Sequence, residues 1–188
     1  IYRQAHKLPP AHTLTWRRGQ VGQPTPQPYW DVHFTLDNPI SLADAEAELR
    51  ERVRESVRLR MIADVPLGAF LSGGVDSSAV VATMAGLSKL PVRTCAIGFD
   101  DPQFNESAFA QMVADRYHTD HRLEIVQSDD FDLIDTLARL YDEPFADSSA
   151  LPTYRVCQMA RKHVTVALSG DGGDESLGGY RRYRMHLG

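Results

Sequence analysis

Residues 71–78 read LSGGVDSS and follow an apolar run, Val65 to Leu71, that predicts a buried strand. The adjacent glycines allow a tight turn that exposes backbone N–H groups, and three serine hydroxyls add further donors. The helix predicted from Ser77 to about Gly86 would add the positive end of its dipole. The stretch therefore predicts a strand, an anion-binding loop and a helix, and ligand binding is favoured over a purely structural turn.

This loop differs from the two common phosphate-binding fingerprints. It lacks the lysine and the spacing of G-x-x-x-x-G-K-S/T, and it lacks the third glycine of the dinucleotide motif. It also carries Asp76 among its anion-binding groups. A carboxylate belongs there if a cation such as Mg²⁺ neutralises it together with phosphate, or if it merely caps the helix.

A second loop, residues 168–180, reads LSGDGGDESLGGY and follows another predicted strand, Val164 to Leu168. Its five glycines cost backbone entropy on ordering, which favours a functional role. Its three interleaved acids would repel one another unless a metal or a cationic substrate lies nearby. We expect it to complete a Mg²⁺–phosphate site, with an acidic surface turn as the alternative.

The rest of the chain alternates predicted strands and amphipathic helices. Further strands are predicted at 92–99 and 123–126, and helices at 41–61, 105–117, 130–141 and 150–162. Continuous apolar strands separated by helices are typical of parallel pairing with both faces covered. The predicted fold is a doubly wound parallel α/β sheet with flanking helices, in which ligands bind at the carboxyl ends of the strands.

The amino-terminal stretch is different in character. Six of the 11 prolines fall within the first 39 residues, so we expect residues 1–40 to be an arm or linker and 41–188 to form the α/β domain. Within the arm, 13–16 and 29–32 are predicted short extended segments. Because residue 1 is Ile rather than Met, we expect the chain to be a piece of a longer protein.

Composition narrows the class of protein. The 188 residues, 43% of them hydrophobic, suffice for one core, and a net charge of −5 argues against nucleic-acid binding by the whole surface. No apolar run approaches the roughly 20 residues of a membrane span, and no signal peptide is evident, so we expect a soluble, cytoplasmic protein. The two cysteines favour buried reduced thiols over a disulfide framework or a cysteine-rich metal site.

Three further groups of residues have open interpretations. Asp147 could bind a substrate ammonium group or cap a helix. One arginine among 181, 182 and 184 could contact phosphate or substrate, the others lying on a solvated face. His118 and His121 have a spacing that can serve zinc, but no third ligand is in register.

The two loops together resemble those of the synthetase domain of glutamine-dependent asparagine synthetases. That family belongs to the ATP pyrophosphatase group, whose fold is adenine nucleotide alpha hydrolase-like. Residues 142–149, DEPFADSS, and the arm segments 8–10 and 29–31 resemble the same family, so the likeness covers nearly the whole chain.

The resemblance implies a role for each matching residue. The departing pyrophosphate would be held by Ser72, Gly73, Gly74, Ser77 and Ser78. Mg²⁺ would be bound by Asp76 and Asp174, and the adenosine framed by Leu71, Ile97, Ser169 and Gly170. Asp171 stands where the family usually has a glutamate that assists acyl-adenylate formation and the ammonia step, and it is one methylene shorter.

The implied reaction activates aspartate as β-aspartyl-AMP with release of pyrophosphate from ATP, after which ammonia displaces AMP. Ammonia would come from glutamine through a glutaminase domain with a terminal cysteine, and a downstream lysine would assist; neither is present in this sequence. We therefore expect this chain alone to bind ATP weakly and to make no asparagine. The complete protein could be a homodimer. The alternatives are an amidotransferase or β-lactam-type synthetase that adenylates another carboxylate, and a non-catalytic ATP-binding module.

Overall fold

The structure is a computed structural model that describes residues 3–33, 39–103, 105–126, 133–141 and 143–187. The chain divides into two compact units, residues 1–42 and 43–188. No helix in these described ranges is both long and apolar enough to cross a membrane.

The amino-terminal unit contains a two-stranded antiparallel ladder. Strand β1 (His12–Thr13) pairs with β2 (Gln27–Pro28), and the Tyr29 N–H donates to the Ala11 carbonyl at 2.9 Å. Both strands begin before the predicted segments 13–16 and 29–32, and both are short. Pro28 has no N–H to donate, which limits how far a ladder can extend here.

The larger unit is built on a four-stranded sheet in which all pairs are parallel. Its strands are β3 (Leu67–Phe70), β4 (Arg93–Phe99), β5 (Asp120–Val126) and β6 (Val166–Leu168), in the spatial order β5-β4-β3-β6. β5 begins at Asp120 rather than at the predicted Leu123. The first three residues of β5, Asp120 to Arg122, are polar, so a prediction from apolar residues did not include them. In the structure they pair with Arg93 to Cys95.

Seven helices occur in the described residues. They are α1 (Leu42–Arg60), α2 (Val75–Leu87), α3 (Ser107–Tyr117), α4 (Ile134–Leu140), α5 (Ala150–Ala160), α6 (Gly173–Leu177) and α7 (Arg181–Leu187). The predicted helix at 130–141 is confirmed from Ile134 to Leu140, and its first residues lie outside the described ranges. α6 was not predicted, because the glycine-rich stretch around it indicated a loop.

Two separate cores cover the two faces of the sheet. On one face, Ala69, Leu71 and Ala96 pack with residues of α1, α2 and α3. On the other, Cys95 packs with Met159 and Ala160 of α5, and Phe70 and Ile97 join this second core. Neighbouring strand residues thus point to opposite faces, as a pleated strand requires. The doubly wound parallel α/β fold is confirmed.

A buried network of polar side chains links β4 to β5. Thr94 is fully buried, and its Oγ1 lies 2.8 Å from Thr119 Oγ1 and 2.9 Å from His121 Nδ1. His121 Nε2 is shielded from solvent without a hydrogen-bond partner among the described residues. Burial lowers the pKa of His121, Asp115 opposes that effect, and Arg122 adds to it. The neutral imidazole is therefore the form that the fold stabilises.

This burial predicts that acid destabilises the fold through His121. A histidine whose folded pKa lies below its unfolded value of about 6.5 contributes stability above that pH and loses it as the pH falls toward the folded pKa. Urea unfolding at pH 7.5 and pH 5.5 should show the stability advantage of the parent chain over His121→Asn shrinking at the lower pH.

The control is His118→Asn, which removes an exposed histidine at the end of α3, where the left-handed φ of +50° also suits asparagine. The change with pH should be larger for His121→Asn than for His118→Asn. Equal changes would contradict the role assigned to burial of His121.

Candidate active site

The two glycine-rich loops leave the sheet at the point where its strand order reverses. The chain runs from β3 through β4 to β5 on one side and then returns to β6 on the other side of β3, so the strand order reverses between β3 and β6. In open parallel sheets, ligands bind in the crevice at such a switch point, beyond the carboxyl ends of the strands. Residues 71–74 and 169–172 line this crevice edge.

The first loop is held in shape by its own serine side chains. Ser77 Oγ accepts the Ser72 N–H at 3.3 Å and donates to the Gly74 carbonyl at 3.2 Å, and Ser72 Oγ accepts the Gly74 N–H at 3.2 Å. The two hydroxyl oxygens lie 3.0 Å apart. These serines therefore build the turn as well as lining it, and a bound anion would have to compete for their protons.

Gly73 packs the first loop against α3. Its φ is +85°, and a Cβ atom there would lie 2.6 Å from the backbone N of Ala110 in α3. α2 begins directly afterwards at Val75, earlier than the predicted Ser77. The first turn of α2, including Asp76 and Ser77, thus presents N–H groups that have no acceptor within the helix.

The second loop contains a helix bounded by two glycines. Gly172 precedes α6 with φ of +94°, and Gly178 follows it with φ of +69°, both in the left-handed region that favours glycine. Asp174 and Glu175 lie in the first turn of this helix. Before it, the Asp171 N–H donates to Ser169 Oγ at 3.3 Å.

The two loops touch through glycines. A Cβ atom on Gly170 would lie 2.6 Å from the backbone N of Ser77, and one on Gly173 would overlap the carboxylate of Asp76. A side chain on Gly170 would meet backbone atoms at the start of α2, and one on Gly173 would displace the Asp76 carboxylate. This contact brings the start of α2 and the start of α6 to the same cavity.

The cavity between the loops measures about 430 Å³. Its lining includes the predicted site residues Ser72, Gly74, Asp76, Ser77, Ser169, Gly170, Asp171 and Asp174. The paired motifs therefore do converge in space, as the sequence predicted from their positions after two strands.

Four predicted site residues do not line this cavity. Leu71 is 1% exposed and its side chain lies in the first core, while Ile97 packs into the second core. Gly73 backs onto α3, and Ser78 Oγ is shielded without a hydrogen-bond partner among the described residues. Any contact between Leu71 and a nucleotide would have to use its backbone.

Sequence reasoning assigned no individual role to Glu175, one of the three acids of the second loop, and did not place Tyr180 in the site. The Tyr180 hydroxyl donates to Glu175 Oε1 at 2.6 Å, and both residues line the cavity. The signal that could have found them is the five-residue spacing across Gly178 and Gly179, which lets the chain fold back once 173–177 is helical. Phe70 and Val75 also line the cavity, next to the first motif.

The structure shows contacts for Asp147 and Arg182, two residues whose roles the sequence left open. Asp147 Oδ1 accepts the Ser149 N–H at 2.8 Å, a bond that lowers the pKa of Asp147 and orders the turn before α5. Asp147 is not among the cavity residues, and its described bond lies in the turn before α5, whose N-cap residue is Ser149. The guanidinium of Arg182 lies over the ring of Tyr180, 4.3 Å from its centroid. Asp142 and the side chain of Arg184 lie outside the described part of the chain.

The donor set fits a hard divalent cation bound together with phosphate. Four carboxylates, those of Asp76, Asp171, Asp174 and Glu175, line one cavity, and the described lining contains no lysine or arginine to balance them. No three acidic, histidine or cysteine side chains of the described chain form a complete metal cage. Mg²⁺ commonly takes one or two carboxylates and completes its shell with substrate phosphates and water.

Comparison with known proteins bears on the family. Residues 48–188 match the family model described as asparagine synthase. A candidate glutamine-hydrolyzing asparagine synthetase 2 of Methanocaldococcus jannaschii is 49% identical over 146 residues, which cover 73% of this chain and 28% of that protein. Glutamine-hydrolyzing asparagine synthetase 1 of Bacillus subtilis is 38% identical over 143 residues, covering 74% and 22%.

The chain thus spans about a quarter of the length of these relatives. Among solved structures, an NH3-dependent NAD synthetase from Campylobacter jejuni aligns with a TM-score of 0.46 and 12% identity, covering 75% of this chain and 61% of that one.

The contact between the loops predicts that Gly170→Ala destabilises the chain. Gly170 does not have a positive φ, so the cost arises from the added methyl group against Ser77 N rather than from backbone conformation. Overpacking of this kind costs roughly 1–3 kcal/mol, which urea unfolding would measure as a lower free energy of unfolding.

Gly86→Ala is the matched control, since a Cβ atom on Gly86 meets nothing within 4 Å and Gly86 lies near the end of α2. It should leave stability unchanged or raise it by up to roughly 1 kcal/mol. Equal stability of Gly170→Ala and the parent chain would show that the loops do not touch as described.

Proposed function

Because this chain belongs to the asparagine synthase family, we propose that it is the ATP-using domain of a ligase that makes asparagine from aspartate and ammonia. The observation that supports this function is the acidic cavity between two glycine-rich loops at the switch point of the sheet. Such a cavity suits a metal-bound polyphosphate, because carboxylates and phosphates can share it only with a cation between them.

In this proposal ATP lies across the carboxyl ends of β3 and β6. Ser72, Gly74 and Ser77 of the first loop bind the β- and γ-phosphates that leave as pyrophosphate. Gly73 and Ser78, which do not line the cavity, shape the loop behind them. The first-turn N–H groups of α2 point their positive dipole end toward these phosphates. Ser169 and Gly170 flank the sugar, and the backbones of Leu71 and Ile97 flank the base.

Asp76 and Asp174 would hold Mg²⁺, which when bound neutralises phosphate charge and so makes pyrophosphate a better leaving group. Both carboxylates line the cavity, from the starts of α2 and α6 respectively. The approach of Gly173 to the Asp76 carboxylate keeps these two helix starts together.

The reaction proceeds in two steps. A side-chain carboxylate oxygen of aspartate bonds to the α-phosphorus, and the bond from that phosphorus to the bridging oxygen breaks, so that pyrophosphate leaves. Ammonia then bonds to the activated carbonyl carbon, and AMP leaves with the oxygen that came from aspartate. Asp171 accepts the proton that the attacking nitrogen loses.

The same proposal extends to the complete protein. Ammonia would be supplied by a glutaminase domain of the same protein, consistent with the glutamine-hydrolyzing names of the relatives. A cytoplasmic location and a homodimer are further parts of this proposal for the complete protein. The main alternative is adenylation of a different carboxylate in the same cavity.

Exchange of labelled pyrophosphate into ATP by the complete protein tests this function. Aspartate should support the exchange, and Asp76→Asn should reduce it by about 100-fold or more, since it removes a charge that offsets the cation. Asp171→Asn should retain more exchange than Asp76→Asn but lose asparagine formation, because Asp171 acts in the ammonia step.

Asp135→Asn, on the exposed surface of α4, is the control and should behave as the parent. Faster exchange with several other carboxylic acids than with aspartate would reject the asparagine assignment. Absence of exchange with every acid tested would favour a non-catalytic ATP-binding module.

A further inference from the structure

One short hydrogen bond at the rim of the cavity has no place in the proposed chemistry. The Tyr180 hydroxyl donates to Glu175 Oε1 at 2.6 Å, joining the last residue of the second loop to the middle of α6. This bond raises the pKa of Tyr180 to about 12 and lowers the pKa of Glu175.

The segment enclosed by this bond lies directly against Asp174. Gly178 ends α6 with φ of +69°, and the Gly179 N–H donates to the Asp174 carbonyl at 3.0 Å. A Cβ atom on Gly179 would overlap Asp174 Oδ1. The turn at 178–179 thus packs against one side of the Asp174 carboxylate. Movement of the turn would leave that side of the carboxylate without contact.

The ring of Tyr180 is itself held from outside the cavity. The Arg182 guanidinium lies 4.3 Å from the Tyr180 centroid and 5.6 Å from that of Tyr183. The two tyrosine rings meet edge to face at 5.7 Å. Cation–π and aromatic contacts of this kind restrain a ring that two rotatable bonds would otherwise leave free.

We propose that the hydrogen bond between Tyr180 and Glu175 is a clasp that holds the turn at 178–179 against Asp174 and so positions the Asp174 carboxylate in the cavity. Tyr180 and Glu175 are positioning residues, since they act through Asp174. The structural part of this inference stands on the contacts alone. The functional part rests on the proposed function, in which Asp174 binds the cation that accompanies ATP.

Amide hydrogen exchange of this chain tests the clasp without any ligand. Tyr180→Phe removes the donor oxygen and keeps the ring, so the Gly179 amide should exchange about tenfold faster as the turn opens more often. Glu175→Gln keeps an acceptor oxygen and should lie closer to the parent. Tyr183→Phe loses the same atom from the neighbouring ring and should leave Gly179 unchanged.

Binding of Mn²⁺–ATP, followed by titration calorimetry and by the Mn²⁺ paramagnetic resonance signal, tests the positioning role. Tyr180→Phe should weaken Mn²⁺–ATP binding about tenfold, and ATP binding in the presence of a chelator by less than about twofold. Tyr183→Phe should weaken neither. A structural defect alone would lower both affinities together and would also lower the melting temperature relative to Tyr183→Phe.

The outcomes separate the two ideas. Unchanged Gly179 exchange in Tyr180→Phe overturns the clasp whatever the ligand result. If the Gly179 amide exchanges faster in Tyr180→Phe but this variant binds Mn²⁺–ATP as tightly as Tyr183→Phe does, the positioning role is overturned. If the complete protein shows no nucleotide binding and no pyrophosphate exchange, the proposed function fails. The amide hydrogen exchange of Gly179 still decides whether the clasp exists.

Discussion

Contact between two glycine-rich loops is the constraint on which the site depends. Gly170 lies so close to Ser77 N that it has no room for a side chain, and Gly173 lies directly against the Asp76 carboxylate. The parallel sheet makes this contact possible, because β3 and β6 are neighbours and end at the same edge. Without the contact, the first turn of α2 and the first turn of α6 would serve two separate surfaces rather than one cavity.

Charge is the second determinant of what this cavity can bind. Four carboxylates around about 430 Å³ would repel a bare polyphosphate, and a cation that accompanies the phosphates would offset that repulsion. The serine hydroxyls and the start of α2 favour phosphate oxygens, and the carboxylates favour a cation.

The sequence predicts much of this arrangement, because strand and helix periodicity and the two loops are local features. It could not predict the strand order β5-β4-β3-β6, which arises from packing of distant segments. It placed Leu71 among the ligand-binding residues, whereas the strand's alternation of faces points the Leu71 side chain into the first core. It also missed α6, since helix formation at 173–177 depends on the left-handed glycines on both sides, and with α6 it missed the link from Glu175 to Tyr180.

Isotope transfer from aspartate tests the central claim most directly. The complete protein would be given aspartate labelled with oxygen-18 in its side-chain carboxylate, together with ATP, Mg²⁺ and ammonia, and the products analysed by mass spectrometry. Attack of that carboxylate on the α-phosphorus predicts one labelled oxygen in AMP and none in pyrophosphate. Label in pyrophosphate or inorganic phosphate, or unlabelled AMP formed along with asparagine, would contradict the account.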